Sequence, residues 1–491
     1  MGSLLGPGPL LRSQRLTTIL IALHVIMLVG VVLLPHVPSV DEPTYVALAQ
    51  SMENGGFSVW GDHYDPAPVD THRTHGYPMF ILVLFRAYDS ITAIFIAQAL
   101  LSFTTLLLVL HVVRHHPQST LLKNVFLLAM VPQLQLLHYV SQVFPEVLMS
   151  FLCSAIALSY HGERESRWMV LLRSVLLAGA FWVRPVMLLF PAMVLVADLL
   201  LLRGPLRWSG LRRNAMVLVW TALLGPVPFA YWNFVNHGVP KPVPISGSAV
   251  FENMGIWQLR LPGYGTMHYF QHSSFGREFI PWVNGLEAHE HYARYQEQWA
   301  RIHTAADPFK TVEDRARLPL MMIHPQRFAA RSAQYSIALN RAIDEENKAM
   351  IKAEPFYYLA TRLYTIVRLW VTNINLPMKR IVYRPTPGRF PLVRQPEGII
   401  GWSKVLLPFI ITLVSFGLGL PYLLYTIFRD RERWFPRRYL LYMIMYVWLI
   451  HVPMVIQSRY TVPVHVLAIL CITLALTDRY SAGSVEGHKH R

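Results

Sequence analysis

The sequence predicts an all-α polytopic membrane protein. Its 491 residues are 53% hydrophobic and only 15% charged, with a mean hydropathy of +0.34, too apolar for a soluble chain. The apolar residues gather in runs long enough to cross a bilayer. Basic residues concentrate between alternate runs, as they do when one set of loops faces the cytoplasm. The net charge of +16 therefore reads as topology rather than nucleic-acid affinity. Both cysteines, Cys153 and Cys471, lie inside apolar runs, so neither a disulfide framework nor a cysteine metal site is indicated.

Ten spans are expected, near 16–35, 91–113, 121–137, 142–160, 168–183, 186–202, 214–235, 402–428, 439–456 and 461–477. The first run is longer than a usual signal core and lacks a small-x-small cleavage site, so it reads as an anchor. The segment 77–88 is apolar but too short to span, and is expected to lie along the interface. Three regions result. Residues 1–235 form an N-terminal module of seven spans, with a first outer loop over 36–90. Residues 236–398 form an outer segment, and residues 399–491 a C-terminal module of three spans. The outer segment opens with a Pro/Gly/Ser stretch over 238–248. Helical patterns follow over 286–304 and 315–338, and a stretch with an apolar face over 362–371 suits the membrane surface. Too few alternating runs are present for a sheet, so this segment reads as a small helical cap. No internal repeat and no inverted pair of broken spans is seen.

Orientation follows from charge. With a cytoplasmic N-terminus, nineteen Lys and Arg fall at the cytoplasmic segments and span ends, and both termini are cytoplasmic. Few remain in the short outer segments. Among them Arg73 ends the first outer loop, Arg184 sits in a turn before Pro185, and Arg459 sits in the turn 457–460. Each by itself suits snorkelling or a helix-end carbonyl. Together, at one depth, they suit an anion site.

At that same depth stand Asp41 and Glu42, in Val40-Asp41-Glu42-Pro43-Thr44-Tyr45. Two adjacent carboxylates at the mouth of a span are costly unless they meet water, a cation or a substrate. Acid followed by Pro43 is also ordinary helix-start grammar, so the residues by themselves leave capping and a site equally open.

The ordered set of short motifs resembles the GT-C membrane glycosyltransferases. The likeness is greatest to protein O-mannosyltransferases and to bacterial enzymes using polyprenyl-phosphate sugars, of the aminoarabinose transferase kind. Asp41-Glu42-x-x-Tyr45 resembles their Asp-Glu element. Arg73-Thr74-His75-Gly76-Tyr77-Pro78 resembles their Arg-x-Pro-Gly-Tyr-Pro element, with His75 where Pro is usual. Phe144-Pro145-Glu146, Arg184-Pro185, the stretch from Val243 to Trp257, and Ser458-Arg459-Tyr460-Thr461-Val462-Pro463 complete the series. The resemblance implies a GT-C fold of about ten transmembrane helices, with interfacial helices in the first outer loop and a small, mostly helical outer domain. It also implies sugar transfer from a polyprenyl-phosphate donor to a hydroxyl on the outer face. The cell would be bacterial and the membrane its inner one.

The residues suit that chemistry. An acceptor hydroxyl must lose a proton as it attacks the anomeric carbon, and a carboxylate within reach can take it. The resemblance and its place at the span end assign this to Asp41, with Glu42 orienting the acceptor or a neighbouring arginine. A lipid-phosphate leaving group needs fixed cations, and the arginine fork matches phosphate oxygens. Arg73 and Arg459 are nominated, then Arg184, with Tyr460 or His75 adding a hydrogen bond. A single displacement inverts the anomeric carbon. A retaining route needs a second, nucleophilic carboxylate, for which Glu146 is a disfavoured candidate.

No cofactor is expected. Asp62, His63, Asp65, Asp70, His72 and His75 in the first loop leave a divalent metal open, although an ordinary polar loop accounts for them better. The partners are then the donor, the bilayer and an acceptor that is a glycolipid, a polysaccharide or a protein. The competing reading is a transporter or flippase of lipid-linked sugars. It needs polar groups along a path through the bilayer, whereas the unusual charges here collect at one face.

Overall fold

The computed structural model describes residues 9–34, 36, 41–59, 69–160, 166–201, 205–245, 333–370, 413–453 and 458–489, with isolated positions between 249 and 301. Among the described residues the regular structure is helical, as the composition and run lengths predict. Among the described residues, four stretches are long and apolar enough to cross a bilayer: Gln14–Leu33, Ile91–Val113, Trp208–His237 and Val462–Arg479. Gly76–Ala87, Ser119–Met130, Glu146–Ser159 and Pro185–Leu201 are apolar but shorter.

In chain order the described α-helices of seven or more residues are α1 (Gln14–Leu33), α2 (Glu42–Glu53), α3 (Gly76–Ala87), α4 (Ile91–Val113), α5 (Ser119–Met130), α6 (Leu134–Val140) and α7 (Glu146–Ser159). Then come α8 (Arg167–Val183), α9 (Phe190–Leu201), α10 (Pro205–Leu224) and α11 (Pro226–His237). The last five are α12 (Ala333–Ala353), α13 (Pro355–Arg368), α14 (Gly419–Arg429), α15 (Arg438–Ile450) and α16 (Val462–Lys489).

The bundle is built around α7 and α16, which pack on each other. Small side chains let them approach: Ser150, Cys153, Ser154 and Ala157 on α7, and Ala468, Cys471 and Ala475 on α16, all buried. α7 also packs on α4, α8 and α15. By contrast α1 lies at the rim. It buries Thr17, Leu20, His24 and Leu28, at helical spacing, and leaves Ile19, Ile26, Val29 and Leu33 more than half exposed, a face suited to lipid. α3 divides likewise, burying Tyr77, Ile81 and Leu82 and exposing Met79 and Val83.

Two breaks refine the expected spans. The run expected over 121–137 is split, because Pro132 cannot continue α5 and the chain restarts as α6. The run over 214–235 carries a joint at Gly225–Pro226, where Pro226 opens α11. α11 then stops at Gly238, whose φ of +71° is the left-handed C-cap that glycine adopts freely.

In the outer segment, most of the patterns over 286–304 and 315–338 lies outside the described residues, as does the boundary at 398/399. The described part holds α12 and α13. α12 continues well past 338: its buried stripe, Leu339, Ile343 and Met350, keeps helical spacing through a polar member, Asn347. Asn347 is satisfied inside: it accepts from Asn253 Nδ2 at 2.8 Å and donates to the Ala249 carbonyl at 3.0 Å.

The end of the bundle away from Asp41 is closed by polar clasps. Asp198, fully buried, accepts from Arg438 Nε at 3.0 Å, Tyr439 OH at 2.6 Å and Asn214 Nδ2 at 2.8 Å. The neighbouring Arg437 donates to Asp478 at 2.6 Å. Consecutive arginines thus tie α15 to α9 and to α16.

Candidate active site

Asp41 stands one residue before α2, where a capping aspartate would turn its carboxylate back onto the helix. It makes no such bond. Its Oδ1 accepts from Arg73 Nη2 at 3.2 Å and its Oδ2 from Arg459 Nη1 at 3.1 Å. The partners are 32 and 418 residues away in sequence. Capping therefore does not explain the acid, and tertiary ion pairing does. Burial pushes the Asp41 carboxyl up, but Arg73 and Arg459 act more strongly together and hold it below its ordinary value.

Arg73 is placed by its own turn. Asp70 Oδ1 accepts the backbone N–H groups of His72 and Arg73, each at 2.8 Å, and the Asp70 N–H donates to the Phe57 carbonyl at 2.8 Å. Thr74 Oγ1 donates to the Val183 carbonyl at 3.3 Å. Gly76 allows this docking: a Cβ there would stand 2.5–2.6 Å from the Trp182 and Val183 backbone. The loop that carries Arg73 is thus pressed onto the end of α8, immediately before Arg184. The Arg73 guanidinium also lies 5.1 Å from the Tyr45 ring centre.

Arg184 enters through a second carboxylate. Glu146, the first residue of α7 and 0% exposed, accepts from Arg184 Nη2. The same oxygen, Oε1, lies 3.9 Å from Arg459 Nε. The strand of chain leading to Glu146 is fixed from α4, where fully buried Gln98 donates to the Val140 and Gln142 carbonyls at 3.1 and 2.8 Å. Tyr460 completes the group. Its ring centre is 5.7 Å from the Arg459 guanidinium and 5.9 Å from that of Arg184, and it stacks on His451 at 4.7 Å. The starts of α2, α7 and α16 and the end of α8 thus meet at one end of the bundle.

The other nominated residues lie apart from this group. Glu42 is buried, with Oε1 2.8 Å from His36 Nε2. His75 is enclosed by rings: Phe57 at 3.9 Å, Trp232 at 4.4 Å, Trp182 at 5.6 Å and Phe229 at 5.9 Å between centres. Burial lowers its pKa to about 4, so it is neutral at physiological pH and its place suits a packing role. Asp62, His63 and Asp65 lie outside the described residues. Among those described, no group of three His, Cys, Asp or Glu side chains is placed to hold a metal ion.

Sequence reasoning undervalued Glu146. An acid at the first helical residue after a proline reads as a helix-dipole partner. The signal that could have raised it is its companion Arg184: an outer arginine that defies the charge bias needs a counter-charge nearby.

No family model and no curated protein matches the sequence. Among solved structures, the chain is similar to ArnT from Cupriavidus metallidurans bound to undecaprenyl phosphate. The identity is 14% and the TM-score 0.38, with 94% of this chain and 77% of that chain covered. It is also similar to the same ArnT in the apo state, with 14% identity, a TM-score of 0.37, and 89% and 77% of the two chains covered.

Proposed function

We propose that this protein is an inverting glycosyltransferase of the GT-C kind. It moves a sugar from a polyprenyl-phosphate donor to a hydroxyl acceptor on the outer face of a bacterial inner membrane. One observation carries the reading: both oxygens of Asp41 are held by arginines from distant parts of the chain. A structural ion pair needs one partner, whereas a carboxylate flanked by several guanidinium groups at the end of a membrane bundle suits phosphate chemistry.

In the reaction, the acceptor oxygen bonds to the anomeric carbon as the bond from that carbon to the phosphate oxygen breaks. The electron pair leaves with the phosphate, and the hydroxyl proton passes to Asp41. The lowered pKa of Asp41 keeps it ionised at neutral pH but makes it a weak base while both arginines hold it. The developing phosphate charge draws Arg73 and Arg459 toward itself. This raises the proton affinity of Asp41 at the moment of transfer and stabilises the leaving group. Arg184 and Tyr460 flank the same position.

The test uses the full chain in nanodiscs, with undecaprenyl phosphate as probe, and outer-surface glycans of cells compared by mass spectrometry. Wild type should bind the probe, and Arg459→Ala should weaken binding by about tenfold or more. Asp41→Asn should abolish the glycan that depends on this protein, with the folded yield retained. Persistence of that glycan at near wild-type level in Asp41→Asn would remove the base assignment. Failure of wild type to bind the probe would remove the donor class.

A further inference from the structure

Glu146 has no step in the chemistry proposed above, yet it is the most deeply buried carboxylate of the cluster, 0% exposed against 21% for the Asp41 side chain. Its Oε1 serves Arg184, while Oε2 and the nearby Arg459 Nε are both buried without a hydrogen-bond partner among the described residues. A buried carboxylate with one unserved oxygen is an expensive way to hold an arginine in place. An amide carbonyl would hold Arg184 at lower cost. The charge itself is what an amide lacks.

Three guanidinium groups, of Arg73, Arg184 and Arg459, contact two carboxylates, of Asp41 and Glu146. Their net charge is +3 − 2 = +1. Asp70 accepts the N–H groups of its own turn and acts on Arg73 only through space, and Glu42 lies 2.8 Å from His36, so the sum counts the five groups in direct contact. The donor is a phosphodiester with one negative charge. The product is a lipid monophosphate, close to two negative charges above its second pKa of about 6. The site and donor together therefore sum to zero. After transfer, with the proton on Asp41, the site carries +2 and the product −2, again zero. Once Asp41 gives that proton to water, the site returns to +1 and the product is in excess by one charge.

We infer that Glu146 is a specificity-determining counter-charge. It sets the arginine cluster to match a singly charged phosphodiester, and it limits the grip on the doubly charged product so that the product leaves. This rests on the donor reading above. A carboxylate that merely scaffolds Arg184 and Arg459 makes the opposite forecast when neutralised, because misplaced arginines bind phosphate less well.

The experiment measures undecaprenyl phosphate binding to the full chain in nanodiscs at pH 8, with thermal unfolding as the folding control. Glu146→Gln keeps the side-chain shape and an oxygen for Arg184. It should bind the probe about tenfold more tightly than wild type, because one opposing charge has been removed at close range. The double variant Glu146→Gln/Arg184→Gln returns the site to +1 and should bind within about threefold of wild type. Arg184→Gln alone, at zero net charge, should bind about tenfold more weakly than wild type. If Glu146→Gln does not fold, comparing Arg184→Gln with the double variant makes the same one-charge change. The double variant should then be the tighter binder. A folded Glu146→Gln that binds no more tightly than wild type overturns the inference, as does a double variant no tighter than Arg184→Gln. Loss of binding in wild type itself is a different result and removes the donor reading with it.

Discussion

At the scale of single residues, charge that defied its surroundings was the readable signal. Asp41, Arg73, Arg184 and Arg459 stood out because each sits where membrane topology disfavours it, and the structure links them through two carboxylates. Glu146 and His75 were harder to read, for opposite reasons. Glu146 is disguised by a position where acids are common. His75 looks like a polar ligand in sequence, but its ring partners Trp182, Phe229 and Trp232 come from distant helices and enclose it. That burial has a measurable consequence. The folded-state pKa of His75 falls from 6.5 to about 4, so between those values the unfolded chain binds the proton more readily than the folded one. The stability that His75 contributes is thus present above pH 6.5 and is lost as pH falls toward 4. Replacing the imidazole by a ring that does not titrate, His75→Phe, should flatten the fall of Tm between pH 6.5 and 4, measured by thermal unfolding in nanodiscs. An unchanged slope would place the titration elsewhere.

At the scale of elements, helix existence was legible from run length and apolar spacing, while helix ends were not. Pro132 splits α5 from α6 inside a run that hydropathy treats as one, and Asn347 hides the continuation of α12 because its side chain is satisfied internally. The docking of the Arg73 loop on α8 was equally invisible. It depends on Gly76 lying against backbone atoms of Trp182 and Val183, residues that hydropathy places in a separate span. A methyl group there meets main chain, which cannot rotate away. Gly76→Ala should therefore cost about 1–3 kcal/mol of stability through overpacking. Because α3 and the Arg73 turn must move together, the same change should weaken undecaprenyl phosphate binding. Met79→Ala, on the exposed face of α3, should do neither. Equal Tm and equal affinity for Gly76→Ala and wild type would show that the contact is not what seats the arginine.

At the scale of the whole molecule, the proposed reaction depends on which side of the membrane this end of the bundle faces. Positive-inside bias assigns the Asp41 end to the outside and the Arg429–Arg438 end to the cytoplasm. The fold gives that assignment a direct measurement. Both native cysteines are fully buried, Cys153 on α7 and Cys471 on α16, so they are silent to a thiol reagent in the folded protein. A cysteine introduced at an exposed position becomes the sole reporter. Asn54, at the end of α2 beyond Asp41, and Glu432, between α14 and α15, are both exposed. With a membrane-impermeant maleimide on intact spheroplasts, Asn54→Cys should label at once and Glu432→Cys only after permeabilisation. The reverse pattern would set the arginine cluster against the cytoplasmic leaflet. Labelling of both without permeabilisation would mean that α14 and α15 do not return the chain across the bilayer. Either result would remove outer-face sugar transfer, even with the contacts around Asp41 intact.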